Sequence, residues 1–374
     1  RLQDAQKLDD LFDKMLKLRH QVALNAGFPN YMEYKFKAMH RFDYGPEDSR
    51  QYHSSMKEFL VPLWRKILDN RRRQMKLDVL RPWDTAVDPL GRPPLKPFTK
   101  TEELIKGCQN IFNRVDPELG QQFRDMSGLG LLDLDSRKGK APGGYQSALS
   151  EARKQFIFMN AVGTDDDVRT LLHEGGHAFH TFAAADYFLP AYRHAPMEFC
   201  EVASMTMELF ADGFLNEFYS DDDRKRSVAE HLEGIVYVLI WVAIVDSFQH
   251  WIYQHPQHTQ AERKEKWISI QKDFGTGLVS WEGLESEQAY LWHRQLHIFE
   301  VPFYYIEYGI AQMGALQLWL KSKKDFQGTV LAYRRALALG GSQSLPKLFE
   351  AAGLTFDFSS RTIGPLAKSL SQVV

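Results

Sequence analysis

The strongest constraint on this chain is the segment His173-Glu174-Gly175-Gly176-His177. Leu171 and Leu172 precede it, and Ala178 and Phe179 follow it, so the segment reads as a largely buried helix. Buried imidazoles and a buried carboxylate need partners, because unpaired polar groups are costly away from water. Residues four apart on a helix share one face with Cβ atoms about 6 Å apart. Both imidazoles can therefore reach one zinc ion at about 2.0–2.1 Å. Glu174 stands beside that face, where a carboxylate can hold and deprotonate a water. The two central glycines each cost a helix about 1 kcal/mol relative to alanine. That cost implies close backbone packing, or room for a ligand, at this point.

A catalytic zinc site wants a third protein ligand and one open position. The run Met197 to Glu208 is good helical sequence, and Glu201 within it is the natural candidate, with Glu198 and Glu208 as competitors. Glu201 and Glu208 lie two turns apart on one face. One can bind metal while the other orients a ligating histidine. Cys200 points about 100° away from Glu201 and reads as a small buried residue. Asp165-Asp166-Asp167 supplies negative charge to the N-terminus of the histidine helix. His180 reads as a satisfied structural histidine, and His20, His40, His53, His231, His250, His255 and His258 show no ligand spacing.

Elsewhere the pattern is mostly helical. Leu8, Leu11, Phe12, Met15 and Leu16 recur at helical spacing, as do Phe59, Leu60, Leu63 and Ile67. Prolines at 82, 89, 93, 94 and 97 make 81–100 an extended connector, with Trp83 as its expected anchor. Residues 133–147 read as a charged, glycine-rich loop, and Gln155 to Asn160 as a short strand. The expected fold class is mainly α, with a small β-sheet beside the zinc helix. The expected organisation is a helical N-terminal portion, 1–132, followed by a zinc-binding catalytic portion, 133–374. With 46 basic and 48 acidic residues, the net charge of -2 argues against a nucleic-acid partner. The apolar run Ile235 to Val245 is too short to span a bilayer and reads as a buried helix, so no membrane partner is expected. Two cysteines cannot make a disulfide framework and fit a reducing compartment. The chain opens on Arg1 with no signal-peptide pattern, as a fragment or processed product would.

These motifs resemble the oligoendopeptidase F and thimet oligopeptidase family of zinc metallopeptidases, helical zincin-like enzymes. His173-Glu174-Gly175-Gly176-His177-Ala178-Phe179-His180 is similar to the family's zinc helix. Phe199-Cys200-Glu201-Val202-Ala203-Ser204 is similar to the segment with its glutamate ligand, and Glu208 to its following acidic position. Arg137 to Tyr145 resembles the oligoendopeptidase F loop upstream, and the likeness runs over most of 20–360, including Leu339-Gly340-Gly341-Ser342. The resemblance implies one zinc ion on His173, His177 and Glu201, with Glu174 as general base and Glu208 orienting a ligand. It implies cytoplasmic endo-cleavage of unstructured oligopeptides. It also makes His297, Tyr305 and Tyr308 the donors to the oxyanion, with Tyr304 as the substitute for Tyr305 if the register slips. His297 stands one residue nearer to the tyrosines than the family spacing.

Two departures stand out. The family usually has a bulky residue where this chain has Gly175, which leaves the ligands intact. The chain also lacks, on this reading, the N-terminal helical region that walls one side of the family's substrate channel. Substrate backbone is expected to pair with the strand around Phe158 and Asn160, with Gly143 and Gly144 allowing close approach and Tyr145 packing on a substrate side chain. Two alternatives compete: a truncated remnant that binds peptide or metal without cleaving, and a related helical zinc carboxypeptidase. The second would need a cation for the substrate C-terminus, and no single arginine stands out for that role.

Overall fold

Helices carry the chain almost throughout, and the only sheet has three strands. The computed structural model describes residues 1–374. The chain divides into two compact units: Arg1–Arg92, Glu233–Gly309 and Asp357–Val374 form the first, and Pro93–Leu232 and Ile310–Phe356 the second. The boundary expected at 132/133 falls inside the second unit.

In the first unit, the opening helix Ala5–Asn25 buries Phe12 and Leu16, but Leu11 is exposed and Asp9 is buried instead. Asp9 is tolerated there because the buried Arg263 guanidinium lies 3.1 Å from it and 2.7 Å from Asp13. Helices Pro46–Ser55 and Val61–Gln74 are joined through a π turn, Met56–Leu60. Pro62 has no N–H to donate, and the wider turn accommodates the carbonyl left free upstream. The proline-rich stretch forms a 3-10 turn at Pro82–Thr85 and is otherwise irregular. Trp83 does not anchor it. That ring is 56% exposed, with only Arg81 over one face. The buried residue here is Leu80, which bridges Val279. The apolar run at 235–245 sits in a 34-residue helix, Asp221–Gln254, which is long and apolar enough to cross a membrane. Val236, Val242, Ala243, Val245 and Phe248 are nonetheless fully buried in the protein, as in a core helix.

The second unit holds helices Thr101–Val115 and Pro117–Gly128, then strands β1 (Leu132–Asp135), β2 (Tyr145–Leu149) and β3 (Lys154–Ala161). The expected loop at 133–147 is thus strand at both ends. Strand order is β1-β3-β2, with β1 parallel and β2 antiparallel to β3. The buried residues Gln155, Ile157 and Met159 alternate along β3 and face the core, the period-2 pattern of a half-buried strand. The histidine helix follows at Asp165–Ala183 and packs on the glutamate helix, Met197–Ala211.

The two glycines explain that packing. A Cβ on Gly176 would stand 2.6 Å from both the Ala203 carbonyl oxygen and the Ser204 Cα, which are backbone atoms of the glutamate helix. A Cβ on Gly175 would meet the Phe112 ring at 2.5 Å. Phe112 is fully buried against Phe123 and Phe179, so its ring fills the space a bulkier residue at 175 would occupy. Gly176→Ala is therefore expected to lower stability by about 1–3 kcal/mol from overpacking, despite a helix-propensity gain of about 1 kcal/mol. Chemical denaturation measures this, and a variant as stable as the parent would contradict the close helix approach.

Candidate metal centre

The entry of the histidine helix is fixed by Asp167. One of its carboxylate oxygens accepts the backbone N–H groups of Val162, Gly163 and Thr164 at 2.8–2.9 Å. This makes Asp167 the capping member of the expected acidic triplet. With the entry fixed and Gly176 admitting the glutamate helix, His173, His177 and Glu201 converge, their ligand atoms all within 4.8 Å of one another. The Glu201 Oε2 lies 3.3 Å from His173 Nε2 and 3.6 Å from His177 Nε2. Donors bound tetrahedrally at about 2.0–2.2 Å sit roughly 3.3 Å apart, so this set fits a zinc ion. Two imidazoles and one carboxylate are also a known catalytic zinc donor set. Glu198, the nearest competitor, is buried but outside the converging group.

The electrostatics follow from burial and neighbours. Burial raises the Glu201 carboxyl, but the His173 hydrogen bond and the nearby imidazoles outweigh it and hold the group below its ordinary value. Burial opposes charge on His173, yet Glu201 and Glu208 together hold it well above the usual imidazole range. A bound cation would replace that proton, because a ligating imidazole must be neutral. Burial pushes His177 down to about 4. Glu174 is buried beside the group, and desolvation pushes its carboxyl up to about 7.

Glu208 is not a solvated helix charge. Its Oε1 lies 2.7 Å from His173 Nδ1, on the ring edge opposite the converging group. Its other oxygen lies 3.1 Å from His231 Nε2. His231 carries no spacing signal in the sequence; only the tertiary fold brings it to Glu208. Arg169, one turn before His173, is likewise buried and bonded to Asp212 at 2.7 Å and to the Ser227 hydroxyl at 3.0 Å. An arginine amid apolar residues on a buried helix was the one available hint of it. His180 is buried, as expected, but its Nε2 has no hydrogen-bond partner, so it is not satisfied. Cys200 is partly exposed rather than buried.

The expected docking strand needs correction. β3 is the central strand, and residues 154–158 already pair with β2 on one edge, while 157 and 158 also pair with β1. Phe158 cannot receive an added strand. Its ring stacks on Tyr145, centroids 5.0 Å apart. The side-chain amide of Asn160 donates to the carbonyls of Ala141 and Gly143, so it holds the loop rather than reaching outward. The edge strands are β1 and β2, and β2 is entered through Gly143, Gly144 and an exposed Tyr145. Gly143 has φ +100°, a backbone region that favours glycine.

His297, Tyr305 and Tyr308 lie in the first unit and cluster there. His297 Nε2 is 3.4 Å from the Tyr308 hydroxyl, and its ring centroid is 4.9 Å from that of Tyr305. Burial pushes the Tyr305 hydroxyl up to about 12, so it stays a donor at neutral pH. Tyr305 immediately precedes the helix Ile306–Ser322, and Tyr308 stands in its first turn. Tyr304 is also close, its ring 5.3 Å from that of Tyr308.

Comparison with known proteins agrees with this picture. The chain is 24% identical to oligopeptidase PepF of Bacillus subtilis (strain 168) over 307 residues, covering 79% of this chain and 44% of that protein. It is 25% identical to group B oligopeptidase PepB of Streptococcus agalactiae serotype III (strain NEM316) over 260 residues, covering 67% of this chain and 41% of that protein. The chain thus matches less than half the length of either relative. Among solved structures, PZ peptidase A with inhibitor 2 superposes with a TM-score of 0.92 at 30% identity, covering 99% of this chain and 66% of that one. Oligoendopeptidase-F from Enterococcus faecium shares the fold, with a TM-score of 0.64 at 15% identity, covering 99% of this chain and 59% of that one. The profile of peptidase family M3 matches residues 1–363, and the chain belongs to that family.

Proposed function

We propose that this chain is the catalytic part of a zinc-dependent oligopeptidase that cleaves internal bonds of unstructured oligopeptides. The observation that carries the reading is the convergence of His173, His177 and Glu201, with Glu174 on the same helix. In this reading those three residues hold the zinc ion and Glu208 orients His173. Bound zinc supplies Lewis acidity toward a water and the peptide carbonyl. Glu174 takes a proton from the attacking water and delivers it to the leaving amine as the C–N bond breaks. Its burial suits both halves of that task, since a carboxyl brought up to about 7 can release the proton it has taken.

An extended substrate would pair with the free edge of β2, its backbone passing Gly143, Gly144 and Tyr145. Tyr308, Tyr305 and His297 would donate to the developing oxyanion. Their support is the family resemblance and their mutual packing within the first unit. A cytoplasmic setting belongs to the same reading and agrees with a chain of only two cysteines and no disulfide.

Turnover of an internally quenched peptide, before and after chelation, tests the proposal. Activity should vanish with chelator and return with added zinc. A protein that binds zinc stoichiometrically yet never cleaves would instead be a binding remnant.

Glu174→Gln is expected to keep zinc and lose at least about 10²-fold in rate, because the amide cannot accept the water's proton. Metal content and turnover on one preparation decide it, and activity within tenfold of the parent removes Glu174 from the mechanism. Tyr308→Phe should lower kcat by about 10²–10³-fold, with zinc content and melting temperature unchanged. An unchanged kcat with a lower melting temperature would make that hydroxyl a structural group.

A further inference from the structure

We infer that His231 is a positioning residue for the metal centre, acting through Glu208 on His173; this rests on the zinc reading above. The geometry is a ladder with two rungs. The upper rung runs from His173 Nδ1 to Glu208 Oε1 at 2.7 Å, and from Glu208 Oε2 to His231 Nε2 at 3.1 Å. The lower rung runs from Arg169 to Asp212 at 2.7 Å and to the Ser227 hydroxyl at 3.0 Å. Each rung member stands four residues from its counterpart: Arg169 and His173, Glu208 and Asp212, Ser227 and His231. Three successive helical segments are therefore registered one turn apart, and the upper rung ends on a metal donor.

The division of labour follows from which donors are used. Arg169 ties the three segments together without touching a metal donor. Ser227 in turn donates to Asp165 at 2.7 Å, which extends that tie to the start of the histidine helix. His231 makes one hydrogen bond, to Glu208. Its Nδ1 lies 3.8 Å from Asp212 and is buried without a hydrogen-bond partner. The terminal torsion of a glutamate is broad, so one hydrogen bond leaves its carboxylate free to swing. A second bond to the other oxygen fixes the carboxylate plane, and with it the His173 ring that presents Nε2 to Glu201. Partners of this kind keep a ligating imidazole in the correct tautomer and orientation.

The test is a zinc-affinity measurement on the full chain, by competition with a chelator of known affinity, alongside the visible spectrum of the cobalt-substituted protein. His231→Leu fills the space without donating and should weaken zinc binding about tenfold or more and alter the cobalt spectrum. His231→Gln, which can still donate, should recover most of the affinity. In a Glu208→Ala background, His231→Leu should change affinity less than about twofold, because residues acting through one link are not additive. If His231→Leu lowers only the melting temperature of the metal-free protein, with affinity and spectrum at parental values, the residue is merely structural and the inference fails. Equal losses with and without Glu208 would also overturn it, since the route would not be Glu208. A parent without zinc affinity sinks the metal reading and this inference together. A parent that binds zinc but cleaves no peptide removes the peptidase reading alone, because affinity and spectrum still report on His231.

Discussion

The convergence of His173, His177 and Glu201 depends on one close approach, that of the histidine helix to the glutamate helix at Gly176. No Cβ fits there, because backbone atoms of Ala203 and Ser204 already occupy its place. This contact sets how far Glu201 stands from two histidines on another helix. A side chain at 176 would push the helices apart, and the donor separations of 3.3 and 3.6 Å would open with them. The helix accepts the propensity cost of glycine because burial of Leu171, Leu172, Phe179, Phe199 and Val202 on both helices offsets it. The carbonyl of Ala203, brought so near, is satisfied by the Tyr333 hydroxyl at 2.8 Å.

Around this contact the second unit holds several ionisable groups away from water, which is tolerable only because nearly every one is paired. The pairing is directional. Carboxylates and imidazoles alternate from Glu201 through His173 and Glu208 to His231, so each charge or dipole faces its complement. Among the carboxylates beside the histidine pair, Glu174 is the exception. It stands at the edge of the chain of pairs, and burial without a comparable partner is what lifts its carboxyl toward neutrality. The environments of Glu201 and Glu174 thus act in opposite directions, one holding its carboxyl below the ordinary value and the other lifting it above.

Much of this was legible in the sequence because it is local. Histidine spacing, the glycine pair and the acidic helix start all act within one helical segment, and periodicity alone places them on a face. Glu201 and Glu208 were readable as a pair for the same reason. What escaped was tertiary. Nothing in a strand's composition says whether it is central or at an edge, so the sequence does not reveal that β3 is the central strand, with a neighbour on each side. His231 is one histidine among several with no spacing signal, and its significance exists only once the long helix brings it to Glu208. Trp83 looked like an anchor because large aromatics usually bury, but its surroundings offer only Arg81.

The departure at Gly175 is an instance of the same distinction. Read alone, a glycine in the middle of a helix suggests a loosened helix. In the structure the missing volume is supplied from another helix by Phe112, which is fully buried and packed edge-on against Phe179. Volume rather than identity is what a close-packed interior conserves. The histidine helix is therefore supported on one side by a ring and on the other by backbone, and its two glycines do different work. Every donor of the metal group and every member of the ladder behind it belongs to the second unit, while the tyrosines belong to the first.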